Sequence, residues 1–465
     1  MRKHKFYAIG LGLMLGVSAS CMTAMAEPQN QIPALEAPGE GQNQQVMPTV
    51  STETTGLALS ESSEADPDAT ETPAETAVSE EPAELSGPGE GIAEAVGGTI
   101  SNATHKPEEY SQIGPGMGDA VNQNEKPSQS QGQAQGEIQE FTSMTVENPV
   151  VKTVEKYSFE QMEADIQALQ QRYGTSHMQV TSIGTSADGR KIYDIIVGNP
   201  NAGKHILIQG AIHAREYANP LLMMKQIEDA LAFYDTGAYH GRKLSDLLNQ
   251  VAVHFVPMAN PDGVALSQFG LDAIKSLTLK QTIQAAYASD QAAGRTTQEF
   301  DRYLERWKAN ARGVDLNHNF DALWTNTSSN WMMPSYSGYK GLTPVSEPES
   351  QALVNLMNSN YPWAAVLNYH SMGKVIYWDI EGNKERERSR QLAQLMSEAT
   401  GGYQMLYSGG GGGFKDWAQL REKPVPSITV ETGKADCPMP MSEFDSVWAE
   451  NRAGWALTAE FVLNY

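Results

Sequence analysis

His213-Ala214-Arg215-Glu216 sets an imidazole and a carboxylate three residues apart. At the start of a helix that spacing puts both on one face, roughly 5–6 Å apart at Cβ. A His–Glu pair suits zinc, and a catalytic zinc needs a third protein ligand while keeping one position open. His370, which follows the apolar run Ala364-Ala365-Val366-Leu367, is the natural third ligand. On its own a His-x-x-Glu pair is not diagnostic, because a chain of 465 residues contains such pairs by chance. His205, His240 and His254 lack comparable context and read as structural or surface groups. Hydrolysis at such a metal also needs a carboxylate that takes a proton from water and hands it to the leaving group. Glu431, directly after Ser427-Ile428-Thr429-Val430, is a residue at a strand end that can do such chemistry.

The elements that must carry these residues are short apolar runs alternating with helical stretches. Ile206-Leu207-Ile208 leads to Gly210, Val251–Val256 leads to Asn260-Pro261-Asp262-Gly263, Ala364–Leu367 leads to His370, and Ser427–Val430 leads to Glu431. Near-continuous apolar strands interleaved with helices imply an α/β sheet covered on both faces. Ligands of such sheets bind beyond the carboxyl ends of the strands, where His213, His370 and Glu431 fall. Tyr157 to Tyr173 reads as an amphipathic helix, with Phe159, Met162, Ile166 and Leu169 at three- and four-residue steps and Gly174 as its stop.

Charge and composition divide the chain. The formal net charge is -23, from 33 Lys+Arg against 56 Asp+Glu. Residues 27–150 hold 22 acids and 2 bases, with one Phe (Phe141) and one Tyr (Tyr110). All eight Trp lie beyond residue 300, so only the C-terminal part, 151–465, has the apolar content for a core. No basic stripe exists to neutralise phosphates, which excludes a nucleic-acid binder. Arg2, Lys3 and Lys5, the apolar Phe6–Val17 and Ala24-Met25-Ala26 make residues 1–26 a secretory signal peptide. The apolar run is too short for a hydrocarbon core of ~30 Å, so no membrane span is expected in the mature chain. A lipoprotein linkage through Cys21 is the lesser alternative, since Ser18 stands where an aliphatic residue is usual. Cleavage after Ala26 leaves Cys437 alone, with no internal disulfide. Residues 27–150 read as a disordered acidic spacer rich in Pro, Gly, Ser and Glu. A tether or a partner-binding tail is the sharper reading of the same stretch.

Six segments then occur in order: Gly210–Glu216, Asn260-Pro261-Asp262-Gly263, Gly313-Val314-Asp315-Leu316-Asn317, Ser346-Glu347-Pro348-Glu349, Asn368-Tyr369-His370-Ser371 and Thr429-Val430-Glu431-Thr432-Gly433. Together they resemble the zinc carboxypeptidase superfamily over about residues 155–465. The resemblance implies a mixed, largely parallel central sheet with helices on both faces. It implies one zinc per domain on His213, Glu216 and His370, with Glu431 as the catalytic glutamate. It also assigns to Asp315 the hydrogen bond that fixes the tautomer of the first zinc histidine.

The substrate pocket departs from the digestive pattern. Members that remove C-terminal residues use an Asn-Arg pair to grip the terminal carboxylate, whereas this chain has Asn317-His318. A neutral imidazole cannot reproduce a bidentate guanidinium grip. The position of the family's oxyanion arginine corresponds to Lys308, with Arg312 as a rival. The family's flexible tyrosine corresponds to Tyr407, with Tyr403 as a weaker choice, and Gly409–Gly413 reads as a mobile lip. Ser371 joins Asn317 and His318 among the substrate-binding residues. Trp307-Lys308-Ala309-Asn310, with a non-Arg residue after Asn317, resembles the bacterial branch of γ-D-glutamyl-diamino acid endopeptidases. The expectation is a secreted or wall-associated zinc peptidase acting on γ-D-glutamyl bonds of cell-wall peptides. A metallocarboxypeptidase acting on ordinary peptides is the alternative. A non-catalytic wall-binding module would need none of His213, Glu216, His370 or Glu431.

Overall fold

The computed structural model describes residues 139–465 apart from 328, 330 and 409. The segment expected to be a signal peptide, Cys21 and most of the expected acidic spacer lie outside the described residues. Eight strands form the main sheet: β1 (Met178–Thr185), β2 (Lys191–Val197), β3 (Lys204–Gly210), β4 (Val251–Val256), β5 (Trp363–Ser371), β6 (Val375–Asp379), β7 (Gln404–Tyr407) and β8 (Ser427–Thr432). Their order is β7-β6-β8-β5-β3-β4-β2-β1. The four central strands β8, β5, β3 and β4 run parallel, while β6 meets β8, and β2 meets β4 and β1, antiparallel. The sheet is mixed and largely parallel in its centre, as the resemblance implies.

The four apolar runs at 206–208, 251–256, 364–367 and 427–430 became parts of the central strands, and the packing shows why they are continuous. Ile206, Ile208, Val253, Phe255, Ala365, Leu367, Ile428 and Val430 enter one core cluster. Leu207, Val256 and Val366 enter a second on the opposite face, with Phe320, Phe414 and Trp417. Successive side chains point to opposite faces, so a strand buried on both sides must be apolar at nearly every position. Helices cover both faces, among them α1 (Phe159–Tyr173), α2 (Ala218–Ala232), α3 (Pro261–Phe269), α4 (Phe414–Leu420) and α5 (Gly454–Asn464). Ser158 caps α1 by accepting from the Gln161 amide, and Gly174 ends it at φ 77°. Tyr157 lies outside the helix, buried, with its hydroxyl donating to Asp165.

The folded body begins earlier than the composition break at residue 150. Gln139–Glu140 pairs parallel with Gly237–Tyr239. Phe141 is fully buried against Trp455, at 5.5 Å between ring centroids. Glu228 accepts from the amides of Val150 and Val151 at 2.7 and 2.8 Å, and Arg452 donates to the carbonyls of Thr142 and Met144. The boundary therefore moves back by at least twelve residues, because one buried aromatic ring anchors a stretch whose average composition is that of a linker. No helix of the described residues is long and apolar enough to cross a membrane.

Candidate metal centre and active site

Strand register builds the site. On the parallel strands β8 and β5, Glu431 lies directly beside His370. On β3, Gly210 pairs with Tyr369, so the chain leaves the sheet next to His370 and reaches His213 three residues later. The loop between β3 and α2 is held from below by Asn260. Its side chain donates to the carbonyls of Ile212 and Ala309 and caps α3 by accepting from the Gly263 amide. A Cβ at 263 would lie 2.6 Å from the Ala309 carbonyl, which accounts for glycine there. Asp262 accepts from the Asp188 amide and from Arg190, so all of Asn260-Pro261-Asp262-Gly263 works as scaffold.

His213, Glu216 and His370 are buried, and their ligand atoms lie within 4.8 Å of one another. Nδ1 of His213 is 2.8 Å from Glu216 Oε1, Nδ1 of His370 is 3.1 Å from Glu216 Oε2, and the two imidazole nitrogens are 3.2 Å apart. Tetrahedral zinc, with ligand bonds of about 2.0–2.2 Å, spaces its donors by about 3.3 Å, so the set fits such an ion. The donor chemistry fits as well. Burial alone would raise the Glu216 carboxyl, but His213 and His370 outweigh it and hold it well below the usual carboxylate range.

Asp315 supports this cluster from behind. One oxygen is 3.3 Å from His213 Nε2; the other accepts from the Gly338 amide at 2.9 Å and lies 3.3 Å from His318 Nδ1 and 4.0 Å from Lys308 Nζ. Burial opposes its charge, but His318, Lys308 and His213 keep the carboxyl well below the usual range. An ionised acceptor at Nε2 favours a proton there, leaving the Nδ1 lone pair for a metal.

Glu431 is half-buried beside His370. Burial pushes its carboxyl up to about 7; Glu216 adds to the rise, while His370, Lys308 and Arg215 act against it. A dication among the three ligands would pull that value down.

The remaining sequence candidates fall into two groups. Lys308 sits with Asp315 and within electrostatic reach of Glu431. His318 faces the same Asp315 oxygen at 3.3 Å, and Asn317 Oδ1 accepts from the Phe414 amide at 3.1 Å. Arg312, by contrast, is half-exposed and faces Glu347 at 3.7 Å. Tyr407 stands half-exposed on the edge strand β7, with Asp379 and Glu381 as the charges nearest it, and no contact among the described residues joins it to the metal ligands. Tyr403 is buried and donates to Glu450, away from the cleft. Ser371 is also a correction. Strand alternation turns it from His370 to the opposite face, where its hydroxyl meets Thr432 at 2.9 Å and the Asn219 amide group at 3.3 Å. Its surroundings make it a brace between β5, β8 and α2, not a group facing substrate. The end of the glycine run, residues 411–413, is pinned as well. Gly412 accepts from Phe320 N and donates to Ala322 O, and a Cβ at 412 would lie 2.7 Å from the His318 carbonyl. Close approach to residues 318–323 explains these glycines better than a mobile lip does.

Two features escaped the sequence reading. His254 bonds the buried Asp194 at 2.8 Å and His205 at 2.8 Å, and burial with the neighbouring His254 pushes His205 down to about 4. The pair is structural, as its sequence context implied, but the Asp194 partner on β2 carried no signal. Arg215 lies between the two ligands of one loop, and no contiguous pattern marks where its side chain goes.

Comparison with known proteins agrees with this geometry. The chain is 33% identical over 305 residues to γ-D-glutamyl-L-diamino acid endopeptidase 1 of Lysinibacillus sphaericus, covering 65% of this chain and 72% of that protein. It is 24% identical over 196 residues to human mast cell carboxypeptidase A, covering 42% of this chain and 40% of that protein. The fold matches bovine thrombin-activatable fibrinolysis inhibitor with TM-score 0.50 and 22% identity, over 66% of this chain and 97% of that one. The pattern of the zinc carboxypeptidase family matches residues 162–454, a span that contains the three clustered ligands and Glu431. That match, with a central sheet that brings the same residues together, shows that this chain belongs to the zinc carboxypeptidase family and is a metallopeptidase.

Proposed function

We propose that this protein is an exported zinc peptidase that cleaves γ-D-glutamyl–diamino acid bonds in cell-wall peptides. The observation that carries the reading is the 33% identity to a γ-D-glutamyl-L-diamino acid endopeptidase over most of that protein. His318 supports it: an imidazole facing Asp315 at 3.3 Å stands where a terminal carboxylate would need a guanidinium. Export through residues 1–26, and a spacer that carries the catalytic body away from its point of release, belong to the same reading.

His213, Glu216 and His370 would hold the zinc, which when bound supplies a Lewis acid that polarises the scissile carbonyl and acidifies water. Glu431 takes the proton of the attacking water and passes it to the leaving amine, a role worth about 10²–10⁴-fold. Its raised carboxyl, near 7 before any dication acts on it, holds a proton more readily than a solvated glutamate. Lys308 offers a cation to the oxygen that becomes negative in the tetrahedral state, worth about 10²–10³-fold for a well-placed donor. Asp315 keeps His213 in the ligating tautomer. The two substrate readings separate on purified protein. Turnover of L-Ala-γ-D-Glu-diaminopimelate with little turnover of blocked dipeptides bearing a free C-terminus is expected. Efficient cleavage of the dipeptides with none of the γ-linked peptide would replace this reading with the carboxypeptidase one.

A further inference from the structure

Lys308 belongs to no helix or strand: it follows the helix Phe300–Glu305 and precedes the turn Leu316–His318. Hydrogen bonds fix its backbone instead. Its carbonyl accepts at 3.1 Å from the amide of Ala214, in the loop between His213 and Glu216. Its amide and that of Ala309 donate to a single acceptor, the Tyr336 carbonyl, at 2.9 and 3.0 Å. Residues 335–338 tie the same stretch down at two further points. The Ser335 amide donates to the Gly313 carbonyl at 3.0 Å, and the Gly338 amide donates to Asp315 at 2.9 Å. The place of these four residues therefore decides where Lys308 Nζ stands against Asp315, whose other oxygen is 3.3 Å from His213. Yet residues 335–338 form no helix or strand either.

A buried acid supplies the hold. Asp290, near the end of the helix Leu277–Ala292, is fully buried. One of its oxygens accepts from the Ser335 hydroxyl at 2.7 Å, the Tyr336 amide at 3.3 Å and the Tyr303 hydroxyl at 2.7 Å. Arg295 stands 3.1 Å from the other oxygen and donates to the Ser337 carbonyl at 2.7 Å. Cohesion alone does not call for such a group. Ile283, Ala286, Tyr303, Trp307 and Ala309 share one apolar cluster, which already packs this helix against the stretch that carries Lys308. A buried carboxylate is costly unless well partnered, and what its directional bonds add is a fixed place for the backbone that makes them. We propose that Asp290 is a positioning residue for Lys308, acting through Ser335 and the Tyr336 peptide. The proposal rests on the oxyanion role given to Lys308 above and names what holds that cation in place.

The test is a double-mutant cycle in the full chain. Rates are taken on whichever the unaltered enzyme cleaves better, L-Ala-γ-D-Glu-diaminopimelate or a blocked dipeptide with a free C-terminus. Asp290→Asn turns one oxygen into a donor that must face either Arg295 or the Tyr336 amide. Its kcat should fall about tenfold. That is less than the about 10²–10³-fold for losing a well-placed oxyanion donor, because a displaced cation forfeits only part of its contribution. KM and zinc affinity should stay within about threefold of the parent. Ser335→Ala is a smaller change that keeps the test open should D290N not fold, and it should lower kcat by at least about threefold. In the Lys308→Ala background neither substitution should change kcat by more than about threefold, since no cation remains to be displaced. Losses of the same size with and without Lys308 overturn the proposal. So does an unchanged kcat in both D290N and S335A, or a loss of zinc affinity that matches the loss of rate. A Lys308→Ala enzyme with the parent's kcat removes the oxyanion reading itself, and the role of Asp290 with it.

Discussion

Replacing Asp315 by Asn should weaken zinc binding by about 10–100-fold, for a reason that can be followed atom by atom. One carboxylate oxygen accepts from the Gly338 amide at 2.9 Å and lies 3.3 Å from His318 Nδ1 and 4.0 Å from Lys308 Nζ. The asparagine oxygen takes that place, which leaves its amide nitrogen facing His213 Nε2, now 3.3 Å from the other carboxylate oxygen. An N–H donor there requires a lone pair on Nε2, which moves the imidazole proton to Nδ1. Nδ1 is the atom that faces Glu216 and His370. Binding zinc must then drive the proton back to Nε2, against the asparagine donor. One charge-assisted hydrogen bond is worth about 1.5–3 kcal/mol, which agrees with the 10–100-fold seen when outer partners of zinc histidines are removed. The Asp315 carboxyl is held well below its ordinary range, so it stays ionised at neutral pH and the deficit should be constant from about pH 6 to 8. Competition with a chromophoric chelator measures the affinity. His318→Ala, which removes a partner from the other oxygen, should stay within a few-fold of the parent. A D315N affinity within threefold of the parent, or an equal loss in H318A, would refute the tautomer argument.

Three further outcomes are expected. Glu431→Gln should keep its zinc and lower kcat by about 10²–10⁴-fold, and activity within a few-fold of the parent would remove Glu431 as the base. A chain beginning at residue 139 should match the full chain in stability, whereas one beginning at 152 loses the buried Phe141 and should unfold with at least about 3–5 kcal/mol less stability in urea titrations; equal midpoints would show that the segment only decorates the surface. Burial pushes the Glu349 carboxyl up to about 7, so the stability it contributes is present below the unfolded value near 4.5 and lost as pH rises through 7. Glu349→Gln should therefore gain roughly 1–3 kcal/mol relative to the parent between pH 5 and 8.5, and a gap between thermal melts that does not change with pH would reject this.

What the sequence disclosed follows from which constraints are local. The runs at 206–208, 251–256, 364–367 and 427–430 became central strands because burial on both faces leaves no room for polar alternation. β2 was harder to see: Asp194 interrupts its apolar run, and what makes that charge tolerable is His254, sixty residues away on β4. The segment at 139–151 was hidden for a similar reason. Its composition is that of the acidic spacer, and it is ordered through distant partners, Glu228, Arg452 and Trp455. The clustering of His213, Glu216 and His370 was legible since zinc demands particular side chains, and strand ends announce where they stand. Facing direction was not legible at Ser371, because one residue along a strand reverses the side chain.

The choice between Lys308 and Arg312 shows what a folded structure adds. Both are cations near Asn310, and their sequence contexts differ little. What separates them is which carboxylate each faces. Arg312 points outward to Glu347, on the far side of the Asn310 amide that also binds Glu349. Lys308 points inward to Asp315 and acts on Glu431. On the proposed reading Asp315 therefore couples two tasks, holding the ligating tautomer of His213 and holding a cation that acts on Glu431. A substitution there should damage zinc affinity and turnover together, while Lys308→Ala should spare the metal and lower kcat alone. That asymmetry follows from the two oxygens of one buried carboxylate, each committed to a different neighbour.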